Sequence, residues 1–265
     1  MESCPRPLIT LTTDFGLHDP YVGIMKGVIL NVYPNCRIID ITHAVHSQDI
    51  LGGGFALKSS YRFFPKGSIH VAVVDPGVGS LRRPILFQTE NYFFVGPDNG
   101  IFSPSLEEEH HIQAYHLTSD RFFLKPTSHT FHGRDIFAPV AGWLARGTPP
   151  HEFGPLIEDW VKLSLPALKH EKGGLQGTIL WIDKFGNVIT NIKAGKLPDT
   201  SGQPVLRVGN HEIANHLSSY SEGLPGALFT IWGSSGFLEI SANRESAAAL
   251  LGVQAGRTFE IVSSL

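Results

Sequence analysis

Asp75, Arg82 and His132 are of the types that together could handle a water molecule. Asp75 ends the apolar run SIHVAVVD (68–75), the segment PGVGS turns the chain, and Arg82 and Arg83 follow; His132 stands in TFHGRD (130–135), just ahead of a helix-like stretch. A carboxylate can accept a hydrogen bond, a guanidinium can stabilise developing negative charge, and an imidazole can accept a proton near neutral pH. The same types could equally bind a metal or a phosphate. Each also has a plainer role. Asp75 and Arg82 could be an ion pair pinning a turn, Asp135 suits a helix N-terminus, and His132 is one of 13 histidines. Two further polar groups end strand-like runs, Thr12-Thr13-Asp14 closing LITLT and Asp40-Ile41-Thr42-His43 closing RIIDIT. Asp14, His43, Asp75 and His132 could surround one divalent ion, although no compact motif such as HExxH supports that arrangement.

The elements that must position these groups alternate in type. Strand-like runs at 8–12, 37–42 and 68–75 are separated by helix-like stretches at 21–32, closed by Pro34, and at 49–63, weakened by three consecutive glycines. This order predicts a parallel sheet with helices on its faces, and ligands in such sheets bind beyond the carboxyl ends of the strands. The three polar groups therefore share one edge. Residues 85–100 read as a hairpin turning at Glu90-Asn91, and 134–147 as a helix that Pro139 should kink or shorten. Composition shifts around PALKHEKGG (166–174), which predicts two domains: 1–168, α/β with the Asp75–Arg82–His132 set, and 174–265, a small antiparallel β-barrel or sandwich. In the second, six short strand-like runs between GTILWID and TFEIV surround one helical stretch at 244–251.

The bulk properties narrow the function. With 265 residues, 17% charged and 42% hydrophobic, the chain can bury a substantial core. Its net charge of −3, with no basic run longer than Arg82-Arg83, gives no electrostatic draw to nucleic acid or anionic membrane. Cys4 and Cys36 are too few for a disulfide framework, and the N-terminus lacks the apolar core of a signal peptide. No apolar stretch is long enough to span a bilayer. A cytoplasmic protein is expected.

From LITLTTDFG through DITH, VVDPGVGSLRR, VGPDNGIFS and TFHGRDIFAPVA to IDKFGNVITNI and GSSGFLEIS, the chain resembles the adenosine-forming S-adenosylmethionine (SAM) hydrolase family. These enzymes, also called SAM hydroxide adenosyltransferases, are the sister group of the fluorinating and chlorinating enzymes that attack the same molecule. The resemblance implies a catalytic Asp75, Arg82 and His132, and it separates Arg82 from Arg83, which it leaves at the surface. It implies Asp14 at the ribose hydroxyls, Asp19, Asp183 and Ser234 around the methionine end, and Asn187 at the adenine. Asp183 could also be plain surface, and FGN before Asn187's strand is in itself a good hairpin turn. The halogenating branch has Tyr in place of the Asp and Tyr-Ser in place of His132-Gly133, so the comparison implies a water-using enzyme. Gln48 replaces that branch's Trp beside the ribose, and Ser235 replaces its Arg. The implied activity is hydrolysis of SAM to adenosine and methionine, with no metal and no further cofactor. The implied assembly is a homotrimer whose active site lies between one subunit's N-terminal domain and its neighbour's C-terminal domain. Other readings are a metal-dependent hydrolase, a non-catalytic SAM-binding sensor and, disfavoured by Asp75 and His132-Gly133, a SAM-dependent halogenase.

Overall fold

Ile69–Val73 is buried at every position, the mark of a central strand covered on both faces. The computed structural model describes residues 6–171, 174–195 and 205–262. The chain divides into two units, Met1–Leu163 and Ser164–Leu265.

The first unit contains β1 (Leu8–Thr13), α1 (Tyr21–Val32), β2 (Arg37–Thr42), α2 (Ile50–Lys58), β3 (Ile69–Val73), β4 (Pro84–Gln88), β5 (Phe93–Pro97), α3 (Ser103–Leu106), β6 (Gln113–His116), α4 (Ala138–Ala145) and β7 (Leu156–Ile157). Its sheet runs β2-β1-β3-β5-β4-β6-β7. The first four strands in this order are parallel, and β4, β6 and β7 are antiparallel to their neighbours. The expected parallel sheet is therefore the site-bearing part of a mixed one. The predicted hairpin forms as β4–β5, with its second strand lying beside β3.

Alternation along β1 and β3 sends Ile9, Leu11, Val71 and Val73 to one core, with Met25 and Ile29 of α1 and Phe137. Ala72 packs in a second core with Leu57, Tyr61, Phe94 and Phe102. The glycines of α2 mark a close approach. A Cβ on Gly54 would lie 2.8 Å from the Ile101 carbonyl oxygen, and one on Gly53 2.9 Å from Val74 Cγ2. This helix stops at Lys58, short of the expected 63, and only a single 3-10 turn follows at Tyr61–Phe63.

The second unit contains β8 (Lys169–Glu171), β9 (Gly174–Ile182), β10 (Val188–Lys193), β11 (Val205–Val208), β12 (His211–Ile213), β13 (Leu228–Trp232), β14 (Phe237–Ala242), α5 (Ala247–Leu251) and β15 (Thr258–Val262). The order is β12-β11-β15-β9-β10-β14-β13, with β8 paired to β9, and every ladder is antiparallel. Just beyond β12, the Leu217 N–H donates to the Thr230 carbonyl of β13 (2.9 Å), and the Thr230 N–H donates to Asn215 (2.8 Å). The two ends of the order thus meet and nearly close a barrel around Ile179, Val188, Leu206, Leu238, Ile240 and Phe259. Among the described residues no helix is long and apolar enough to cross a membrane.

Candidate active site

The parallel register aligns Thr12 of β1 with Thr42 of β2, and Thr13 with Val73 of β3, so the three strands end together. Beyond them opens a cavity of about 690 Å³ whose lining includes Asp14, Gln48, Asp75 and His132. One wall is aromatic: Phe15, Tyr21 and Phe131 meet edge to face with ring centroids 5.3–5.8 Å apart. Such faces suit a flat, partly apolar ligand. Sequence reasoning missed these rings, although Phe15 and Phe131 directly adjoin Asp14 and His132.

The turn after Asp75 returns Arg82 to it. Arg82 Nε donates to Asp75 Oδ1 at 2.8 Å and to Oδ2 at 3.0 Å, and Nη2 also donates to Oδ2. The same Nη2 lies 2.8 Å from His132 Nδ1. The Asp75 and Arg82 side chains are only 6% and 9% exposed, and the guanidinium sits over the Phe137 ring at 5.3 Å. Arg82 has donors only, so Nδ1 must accept, and the neutral imidazole carries its proton on Nε2. Burial of the ring, with the Arg82 charge beside it, pushes the His132 pKa below the ordinary value, so the ring is neutral at pH 7. Arg82 Nη1 is buried and has no acceptor among the described residues.

His132 owes its position to an irregular helix start. Residues Gly133–Phe137 form a π turn in which the Ala138 N–H reaches the Gly133 carbonyl, and α4 continues from Ala138. Pro139 has no N–H to offer the Asp135 carbonyl, which accepts the Leu124 N–H instead at 2.8 Å. Pro139 thus does not end the helix, because the preceding turn is widened, and the regular α-helix is shortened to Ala138–Ala145. Asp135 is fully buried and binds Arg134 Nε (2.6 Å) and the Ser128 N–H (2.8 Å), which ties down the loop ahead of His132.

Arg83, expected at the surface, is a quarter exposed and is also tied down. Its Nε donates to Asp98 Oδ2 at 2.9 Å, Nη1 to Asp159 Oδ1 at 2.8 Å and Nη2 to the Asp159 carbonyl at 2.7 Å. The two arginines therefore anchor opposite sides of one turn. Within that turn Gly79 has φ +77°, and a Cβ there would lie 2.3 Å from the His129 carbonyl oxygen. Gly79→Ala is expected to destabilise the protein by about 1–3 kcal/mol from backbone strain alone. Gly23→Ala in α1, where a Cβ meets nothing within 4 Å, should be neutral or stabilising. Urea unfolding of both variants checks this.

The second unit has its own cavity of about 630 Å³, lined by Asp183, Phe185, Asn187, Tyr220 and Arg244 among others. Asp183 Oδ1 accepts the Phe185 and Asn187 N–H groups, both at 2.9 Å, and Oδ2 accepts Asn187 Nδ2 at 2.8 Å. These two predicted site residues thus build one turn and face one cavity together. Arg244 holds φ +61°, uncommon for a side-chain-bearing residue. Behind it, Glu239 accepts the Tyr220 hydroxyl at 2.8 Å. Burial raises the Glu239 pKa and pushes that of Tyr220 up to about 12. Asp19 and Ser234 are exposed and line neither cavity. The Ser235 hydroxyl is buried with no partner among the described residues. His43, counted above among possible metal ligands, turns its ring toward Thr13 and Asp40. Among the described residues no three His, Cys, Asp or Glu side chains form a metal-holding group.

Ionisable groups converging beyond parallel strands, followed by an antiparallel unit with a polar cavity of its own, make the architecture of an enzyme acting on a small molecule. The particular family follows from comparison with known proteins. The chain belongs to the SAM hydroxide adenosyltransferase family, whose N-terminal domain matches residues 9–154 and whose C-terminal domain matches 177–260. It is 36% identical to the (R)-S-adenosyl-L-methionine hydrolase of Salinispora arenicola, over 97% of this chain and 98% of that one. It is also 36% identical to the protein of that name from Thermus thermophilus, over 95% and 97%. A fluorinase of an Actinoplanes species is 27% identical over 72% of this chain and 74% of its own. A crystal structure of an uncharacterized conserved protein from Thermotoga maritima superposes with a TM-score of 0.87 at 34% identity, covering 96% of this chain and 99% of the other.

Proposed function

We propose that the protein hydrolyses SAM to adenosine and L-methionine, with water attacking the ribose C5′ in line with the departing sulfur. The observation that carries this reading is the Asp75–Arg82–His132 cluster at the cavity that Asp14 also lines. Charge sets what the reaction needs. The sulfonium already activates C5′ and leaves as a neutral thioether, so neither a general acid nor a further cofactor is required. Water is the difficult partner: with a pKa of about 15.7, forming free hydroxide at pH 7 costs about 12 kcal/mol. Arg82, fixed beside Asp75 with Nη1 unpaired among the described residues, is the cation that lowers this cost. Because Arg82 occupies His132 Nδ1, the imidazole presents Nε2–H as a donor, and Asp75 is the group of the three that can take the water's proton in this arrangement. Orientation supplies much of the remaining rate, since holding the water in line makes the step intramolecular.

Asp14 is assigned to the ribose hydroxyls, Asn187 to the adenine, and Asp19, Asp183 and Ser234 to the methionine end, on the strength of the family resemblance. The same resemblance supports a homotrimer, and the two cysteines support a cytoplasmic setting; sedimentation tests the first. For the reaction, purified protein with SAM in ¹⁸O-water should release adenosine and methionine well above the spontaneous rate. The label should appear in the adenosine 5′-hydroxyl. Binding of SAM without cleavage would instead make the protein a sensor. A halogenated adenosine formed in fluoride or chloride would make it a halogenase.

A further inference from the structure

The sequence reading singled out His43 at the sheet edge, and no step of the reaction uses it. It is 5% exposed, and its backbone and ring both contact the loop that carries Asp14. Its Nδ1 lies 2.8 Å from Thr13 Oγ1, on one side of Asp14. Its carbonyl oxygen accepts the Gly16 N–H at 2.8 Å, on the other side. Its Nε2 lies 3.1 Å from Asp40 Oδ1, at ion-pair distance but outside hydrogen-bond geometry. Asp40 is in turn held by Lys26 Nζ at 2.6 Å. The same connection continues to Gln48, whose backbone is left-handed at φ +68°. In that conformation its N–H donates to Asp14 Oδ2 at 2.8 Å. Left-handed backbone at a bulky residue persists only where its surroundings impose it. Segment 43–48 therefore grips the Asp14 loop at residues 13, 14 and 16, and occupies Asp14 Oδ2, while Oδ1 has no hydrogen-bond partner among the described residues.

We infer that His43 is the positioning residue for Asp14, acting through Thr13, and that it sets the enzyme's demand for a substrate bearing ribose hydroxyls. This rests on the substrate reading above. A carboxylate oxygen grips a vicinal diol only if its direction is fixed, and a loop free to rotate about residue 13 would lose that direction while still reaching the cavity.

Thr13→Val removes the hydroxyl at nearly constant volume, and Thr13→Ser restores it. Adenosine and 2′,3′-dideoxyadenosine are compared as inhibitors up to millimolar concentration, alongside kcat and KM for SAM. Thr13→Val should weaken adenosine about tenfold, the scale of one hydrogen bond. It should leave the dideoxy analogue unchanged within about twofold and raise KM more than it lowers kcat. Thr13→Ser should return all values toward wild type, and His43→Asn, which can still reach Thr13, should be milder than His43→Leu. Equal weakening of both nucleosides by Thr13→Val, or unchanged adenosine inhibition, overturns the role of His43 alone. A wild-type protein that cannot tell the two nucleosides apart overturns that role and the assignment of Asp14 to the ribose together.

Discussion

Arg82→Ala is expected to lower kcat by about a thousandfold while moving KM little. Loss of one preorganised donor at a developing oxyanion costs on the order of 10²–10³ in rate, and here the donor is a full cation beside the attacking oxygen. The difficulty is that Asp75 and Arg82 are a nearly buried ion pair, so removing one partner also leaves a carboxylate uncompensated and destabilises the fold. The double variant Asp75→Ala/Arg82→Ala separates the two effects. Removing both charges should recover part of the stability lost in Arg82→Ala, as measured by urea unfolding, yet leave turnover as low as in the single variant. If turnover returned with stability, the pair would be only a structural pin for the turn. The pH dependence adds a second readout. The Arg82 charge helps hold the His132 pKa down, so in Arg82→Ala the ring should protonate at higher pH. An NMR titration of the His132 ring in wild type and Arg82→Ala reads this shift directly. Arg82→Lys keeps a charge but loses the two-pronged grip on Asp75; its loss should fall between wild type and Arg82→Ala.

What could be read from the sequence was whatever depends on local pattern. Apolar runs ending in Asp14, Thr42 and Asp75 identify the parallel strands and their shared edge, because a right-handed β-α-β order leaves little choice of topology. The family motifs then single out Arg82 over Arg83. Contacts between distant positions left no such trace. Arg83 gives no sign in the sequence of its partners, Asp98 and Asp159, which are 15 and 76 residues away. His43 and Thr13 are 30 residues apart and share no periodicity. Strands β8 and β12 are three residues long, KHE and HEI, too short and polar to show alternation. Residues 134–147 read as a helix interrupted by proline, whereas the proline and the π turn are two parts of one solution. The missing N–H frees the Asp135 carbonyl for Leu124, and that bond helps hold the segment ahead of His132. The irregularity coincides with the site, as expected where local geometry yields to function.

Acid is expected to weaken this fold well above the carboxylate range, through a histidine remote from the chemistry. His70 in β3 has no exposure. Its Nδ1 lies 2.7 Å from Thr10 Oγ1, and its ring sits among Tyr61, Phe64, Tyr92 and Phe94 at centroid distances of 5.3–5.9 Å. Burial lowers its pKa to about 3. The unfolded chain binds this proton near the ordinary value of about 6.5 while the folded chain refuses it, so stability is full above that pH. It falls as pH drops from there toward 3, and at 1.36 kcal/mol per unit the loss is on the order of 2 kcal/mol by about pH 5. Against a total stability of roughly 5–15 kcal/mol this is a large fraction. His132 and His116 are also held below their ordinary value by burial, so they add to the same window. Asp135, whose Arg134 and Ser128 partners outweigh the opposing effect of burial, has a lowered pKa and contributes only at lower pH. The paired replacement Thr10→Val/His70→Phe removes both polar partners with little change of shape, which is close to neutral for a buried pair. Unfolding free energies at pH 7.5, 6 and 5 should show a shallower slope in this variant than in wild type, with the difference growing toward pH 5. An unchanged slope would mean that His70 is protonated as easily inside the fold as outside it, and would overturn this assignment.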